Sequence, residues 1–209
     1  MPKMQVRLAA IIKNEFSPRR PELVRLLNSN YYDAIMEAYQ DLGGDFTNFP
    51  PQIGAYDIST ESFDIELDEY LHYNRYRQST LESPIYIMLP QFPLELYCAW
   101  CAPGQEAEIK CLHAGSHGGK WSTPSSERQF GISNAPGDLS GSGSSRWKQR
   151  AFNDYRKDVL SLVINRPLVR ISVYDKIGDY TVEQILDSPN YMDFAPQVNA
   201  FVESRLPSM

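Results

Sequence analysis

The apolar period of this chain changes at Pro50-Pro51, and that change constrains the fold more than any other feature of the sequence. Before the prolines, Tyr31, Ala34, Ile35, Ala38, Tyr39 and Leu42 recur at helical spacing and stop at Gly43-Gly44. After them the period is two. Residues 53–58 read as a strand, and residues 63–71 set Phe63, Ile65, Leu67 and Leu71 against Asp64, Glu66, Asp68 and Tyr70. Residues 85–89, held between Pro84 and Pro90, fit a short edge strand. Residues 94–101 and 106–113 complete five successive short strands, the last two joined through Ala102-Pro103-Gly104-Gln105.

The two ends of the chain supply the helices. Residues 5–12 alternate and read as one more strand, and Pro21 opens a short helix over 21–27. Residues 145–164 form a long amphipathic helix with Trp147, Ala151, Phe152, Tyr155, Val159, Leu162 and Val163 inward. A strand at 168–174, a helix opened by Thr181 with Gln184 placed for a capping box, and a helix over 193–206 follow. Between the halves, Gly, Ser and Pro fill 18 of the 32 positions of 114–145, the composition of a mobile loop. The expected fold is α+β: an antiparallel β-meander sheet of five to seven strands, packed by helices from the N- and C-terminal parts, in a single domain over 1–209.

Charge and cysteine usage bound the setting. No apolar run approaches a membrane span, the candidate over 159–164 being six residues long, and no signal peptide is legible, so no membrane partner is expected. Three cysteines, an odd number, fit a reducing compartment, and the cytoplasm is the expected location. The net charge of −6 is unevenly spread. No Lys or Arg occurs over 26–74, which holds ten carboxylates, whereas Arg146, Lys148, Arg150, Arg156 and Lys157 crowd one helix.

All three cysteines lie in 94–113. Cys98, Cys101, Cys111 and His113 have the residue types of a Cys₃His zinc set. Strand alternation opposes it: with Pro103-Gly104 as a two-residue turn, Cys98 falls on an apolar face with Leu96 and Ile109, and Cys101 falls on the other. On that other, polar face stand Glu95, Glu108 and Lys110. An acid, about a dozen residues, then Glu-x-Lys resembles the active-site pattern of the PD-(D/E)xK nuclease superfamily. The resemblance implies that Glu95 and Glu108 hold Mg²⁺ while Lys110 positions water and stabilises charge on the phosphate. It covers about sixteen residues, with Glu95 where that family usually has Asp.

Three functions are compatible with this reading. The first is a non-catalytic interaction protein, a regulator, inhibitor or accessory subunit of a nucleic-acid-processing complex, needing no cofactor. Asp64, Glu66 and Asp68 would dock a basic partner, while Lys120, Arg128, Arg146, Lys148, Arg150, Arg156 and Lys157 would bind nucleic acid or an acidic partner. The second is the Mg²⁺-dependent nuclease. The third is a zinc-stabilised binding module. His72 continues the outward face of the acidic strand, where Asp68 or Tyr70 would raise its pKa, with no evident Ser or Cys partner.

Overall fold

The computed structural model describes residues 3–12, 19–50 and 53–207. Helix α1 (Lys3–Ile12) replaces the expected N-terminal strand: it buries Leu8 and Ile11, three apart, and leaves Val6 half exposed. Helices α2 (Val24–Leu27) and α3 (Tyr32–Asp41) follow, the latter burying Ile35, Ala38 and Tyr39 as its period requires.

The expected meander does not form. Of its five strands only two short ones exist, β1 (Ile58–Ser59) and β2 (Asp64–Asp68), joined as an antiparallel pair. Residues 84–88 form a 3₁₀ turn capped by Ser83, and the 94–113 segment is helical: α5 (Leu94–Cys101) and α6 (Glu106–Gly115), preceded by α4 (Arg75–Leu81). The reason is a degeneracy of pattern. Tyr97 and Cys101, or Ala107, Cys111 and Gly115, repeat every four residues, and it is these that are buried, while Leu96 and Ile109 remain about half exposed. An i,i+4 pair between Lys110 and Glu106, 2.9 Å apart, belongs to the same helical repeat.

The 114–145 stretch is not structureless. It carries α7 (Gly118–Trp121) and α8 (Pro124–Phe130), the latter closed by a Thr123–Ser126 capping box, and it buries Trp121 and Phe130. Trp121 packs edge-on against Trp147 in the long helix α9 (Ser145–Val163). That helix leads to β3 (Leu168–Ser172), which pairs with β2 in parallel, so the sheet order is β1-β2-β3. A parallel neighbour requires a crossover, and α9 supplies its last leg. A hairpin of β4 (Lys176–Ile177) and β5 (Tyr180–Thr181) precedes α10 (Val182–Asp187), whose Thr181–Gln184 capping box is as expected, and α11 (Ala195–Ser204). The molecule is thus α+β with two small sheets, of three and two strands. No helix among the described residues is long and apolar enough to cross a membrane.

Both faces of β2 are covered. Ile65 and Leu67 enter the main core, and the opposite side chains, Asp64, Glu66 and Asp68, are almost fully buried too, at 2%, 3% and 1% exposure. Three carboxylates under a helix are tolerable only if each meets a cation or several donors. Each does.

Candidate functional site

The carboxylate row of β2 is met by bases from α9, β3 and the neighbouring loops. Asp64 takes Arg19 at 2.5 Å and Arg166 at 2.9 Å; Glu66 takes Lys157 at 2.5 Å; Asp68 takes Arg170 at 2.8 Å and the Tyr97 hydroxyl at 2.7 Å. Arg170 also reaches Asp158 (2.9 Å) and Asp154 (3.3 Å), and Asp158 in turn accepts from Arg77 and the Tyr86 hydroxyl. This lattice of matched charges lies beneath a cleft of about 300 Å³.

The cleft is lined by Asp57, Glu66, Glu69 and Asp154, by Arg146, Arg150 and Lys157, and by His72. Asp57 sits one residue before β1. Its carboxylate accepts from Gln5 Nε2 and from the backbone N–H of Leu67, both at 2.8 Å. The register Ile58↔Ile65, carried one step further, sets Asp57 opposite Glu66. Burial raises the pKa of Asp57 and of Glu69, and it pushes Glu66 up to about 7 in spite of Lys157. Carboxyl groups held together and partly dehydrated in this way have an unmet demand for positive charge.

His72 completes the cleft. It ends a 3₁₀ turn over Tyr70–His72 that follows β2 directly. Nδ1 donates to Asp154 at 2.7 Å and lies 3.3 Å from Asp68, the neighbour its sequence position promised. Burial alone would lower its pKa, but the two carboxylates outweigh burial and raise it. Nε2 has no hydrogen-bond partner among the described residues. Asp68, His72 and Asp154 are also the one group of three or more His, Cys, Asp or Glu among the described residues whose ligand atoms gather within 4.8 Å. Arg146 and Arg150 make no ion pair within 4 Å among the described residues, donating instead to Gln149 and to the Leu71 carbonyl; burial lowers the pKa of both, and in Arg150 the nearby Arg146 lowers it further while Asp154 and Glu69 oppose the fall. The cleft therefore sets Asp57 and Glu69, which make no ion pair within 4 Å among the described residues, beside Arg146 and Arg150, which make none either.

The residues singled out from sequence fall elsewhere. Glu95 is exposed on α5; Glu108 is buried and held by Arg75 at 2.8 Å and 3.1 Å; Lys110 pairs with Glu106. The three do not form the carboxylate–lysine face, because no hairpin exists. Cys98, Cys101, Cys111 and His113 do not converge either: Cys101 and Cys111 are separate buried thiols, each pushed up to about 12 by burial, and His113 is exposed. Asp64, Glu66 and Asp68 are interior rather than a docking surface. On the basic side, Lys120 and Arg128 are exposed and Arg146, Lys148 and Arg150 are half-buried, but Arg156 and Lys157 are interior, Arg156 donating to Pro50 O and Lys157 to Glu66. Asp57, Glu69 and Asp154 are not singled out by the sequence pattern; the signal for Asp57 is the antiparallel pairing of its segment with 63–71, which sets it opposite Glu66.

A family model described as a family of unknown function (DUF7255) matches residues 37–188, well over half of the chain. The chain belongs to that family. The DUF7255 span takes in β1, β2, α9 and β3, and with them Asp57, Glu66, His72, Asp154 and Lys157; Gln5 lies outside it. No curated protein and no solved structure matches the chain.

Proposed function

We propose that this protein is a divalent-cation-dependent phosphodiesterase acting on nucleic acid, with its reaction centre in the Asp57–Glu66–His72 cleft. One observation carries the reading: Glu66 on β2, Asp57 just before the antiparallel β1, a lysine and an imidazole anchored at Nδ1 share one cleft with two guanidinium groups that form no ion pair with a carboxylate. The chemistry is that implied by the PD-(D/E)xK resemblance, supplied by different residues. Asp57 and Glu66 stand in for the acids of that pattern, and Lys157 reaches in from α9 rather than from the strand, where Asp68 occupies the position two after Glu66.

Asp57 and Glu66 would be the oxygen donors for a hard cation such as Mg²⁺, which binds through few carboxylates and retains water ligands. Bound there, the cation would lower the pKa of water and neutralise charge on a phosphate. His72 holds a proton at Nδ1 toward Asp154 and keeps Nε2 free to take a proton from, or return one to, the reacting oxygens. Arg146 and Arg150 are placed to hold phosphate oxygens, and the exposed Lys120 and Arg128 add attraction for the strand beyond. Asp64, Glu66 and Asp68 cannot dock a basic partner, since they are interior.

The test is to incubate the protein with plasmid DNA, linear DNA and RNA in Mg²⁺, Mn²⁺ or EDTA. Metal-dependent cleavage that falls by at least two orders of magnitude in Asp57→Asn, Glu66→Gln and His72→Ala, with melting temperatures kept near wild type, supports the reading. Cleavage that survives Asp57→Asn or EDTA, or none by the wild type under any metal, contradicts it.

A further inference from the structure

Beside the reaction cleft runs a second, larger groove of about 740 Å³, and the two share Ile53, Gly54 and Asn153. Its character differs. Where the first cleft is lined mostly by charges, the second has one cation, the exposed Arg20, and is otherwise lined by neutral groups, among them three carboxamides: Gln149 and Asn153 from successive turns of α9, and Gln129 from α8. Gln129 and Gln149 are each only 8% exposed.

Two of these amides have their orientation dictated. Arg146 donates to Oε1 of Gln149, and Arg156 Nη2 donates to Oδ1 of Asn153 at 2.6 Å. A guanidinium group can only donate, so each amide must turn its oxygen to the arginine and keep its NH₂ for something else. Neither NH₂ has a hydrogen-bond partner among the described residues. Gln149 and Asn153 are four residues apart, hence neighbours on one helical face. The groove thus offers two adjacent neutral donors, one of them on a side chain more than nine-tenths buried.

We propose that this groove receives the nucleobase next to the scissile phosphate and reads an edge carrying two acceptors, so that guanine is preferred to adenine. The inference rests on the phosphodiesterase reading of the adjoining cleft. Phosphate belongs with the guanidinium groups of the first cleft; neutral amide donors suit the uncharged edge of a base. Guanine presents N7 and O6, both acceptors, whereas adenine presents N7 beside an N6 amine that would meet an amide donor head-on. Failing to satisfy a buried donor is what makes such discrimination strong.

The experiment measures fluorescence anisotropy of labelled oligoadenylates, DNA and RNA, all-adenine or with one central guanine, in EDTA so that binding is read without hydrolysis. The guanine-containing strand is expected to bind about tenfold more tightly, within the range of a good bidentate base contact. Replacing the guanine by 7-deazaguanine, or Asn153 by Ala (N153A) in a protein of unchanged melting temperature, should erase most of that preference. Equal binding of the two strands, or no binding of either, overturns the inference, as does a preference that persists in both Asn153→Ala and Gln149→Ala. If the preference is present and cleavage is absent in every metal, the catalytic reading fails and the base site stands.

Discussion

His72 Nδ1 lies 2.7 Å from Asp154 Oδ2, on the one helix that packs across the carboxylate row of β2. That bond leaves the opposite ring nitrogen as the imidazole's only free position, and it ties the reaction cleft to the Arg170 lattice beneath it, because Asp154 also receives Arg170. Orientation of a histidine by a carboxylate on its far nitrogen is the arrangement that fixes tautomer and direction together.

The raised pKa of His72 has a definite consequence for stability. Asp154 and Asp68 favour the charged ring in the folded state, so the stabilisation is fully present below the unfolded value of about 6.5 and is lost as pH rises through the higher folded value. In Asp154→Asn the folded pKa should fall. An NMR titration, with the His72 resonance assigned by its absence from His72→Asn, should show the inflection move to lower pH. Chemical denaturation should show the part of the mutant's deficit due to His72 shrinking as the pH is raised. An inflection that stays in place would show that Asp154 does not govern the ring.

Arg170 pairs with more carboxylates than any other base among the described residues. It is 2% exposed and serves Asp68, Asp154 and Asp158, each of them buried. Arg170→Met keeps the bulk and removes the charge, leaving three carboxylates to repel one another without water. Urea unfolding should show a loss of about 3–5 kcal/mol. Adding Asp154→Asn should recover part of it, since one of the charges that Arg170 had neutralised is then removed and its other partner, His72, can release a proton. A single variant within about 0.5 kcal/mol of wild type would mean that the lattice is energetically idle.

Glu108 makes a separate prediction, of opposite pH sense. Burial would raise its pKa, but Arg75 and the backbone N–H groups of Gly104 and Arg75 overcome that and hold it low. A depressed folded pKa contributes stability above the unfolded value of about 4.3 that is lost as pH falls through the folded one. Glu108→Gln should therefore cost about 1–3 kcal/mol at neutral pH, and the gap to wild type should close on acidification. A gap constant from neutral to strongly acidic pH would contradict the assignment.

These groups also mark how far the sequence could be followed. The helices over 32–41 and 145–163 were legible because a long apolar stripe admits one period only. The segment 94–113 was not, because Leu94, Tyr97, Cys98 and Cys101 satisfy a helix while Leu94, Leu96, Cys98 and Trp100 satisfy a strand, and tertiary packing chose the first. The acidic alternation of β2 was read correctly as a strand and wrongly as surface. Nothing local to Asp64, Glu66 and Asp68 announces that Lys157, Arg166 and Arg170, about a hundred residues later, will come down over them. Buried ion pairs across a parallel crossover are written in two distant places, and neither is distinctive alone. The acidic strand and the inner basic residues of α9, Arg156 and Lys157, belong to one interior.

The central claim is that Asp57 and Glu66 jointly offer a cation site, and titration of the protein with Mn²⁺, followed by electron paramagnetic resonance, tests it most directly. The account predicts about one equivalent bound by the wild type and by Cys101→Ala, displaced by Mg²⁺, and lost from Asp57→Asn and from Glu66→Gln. Binding that is absent from the wild type, or that persists undiminished in both carboxylate variants, would contradict it.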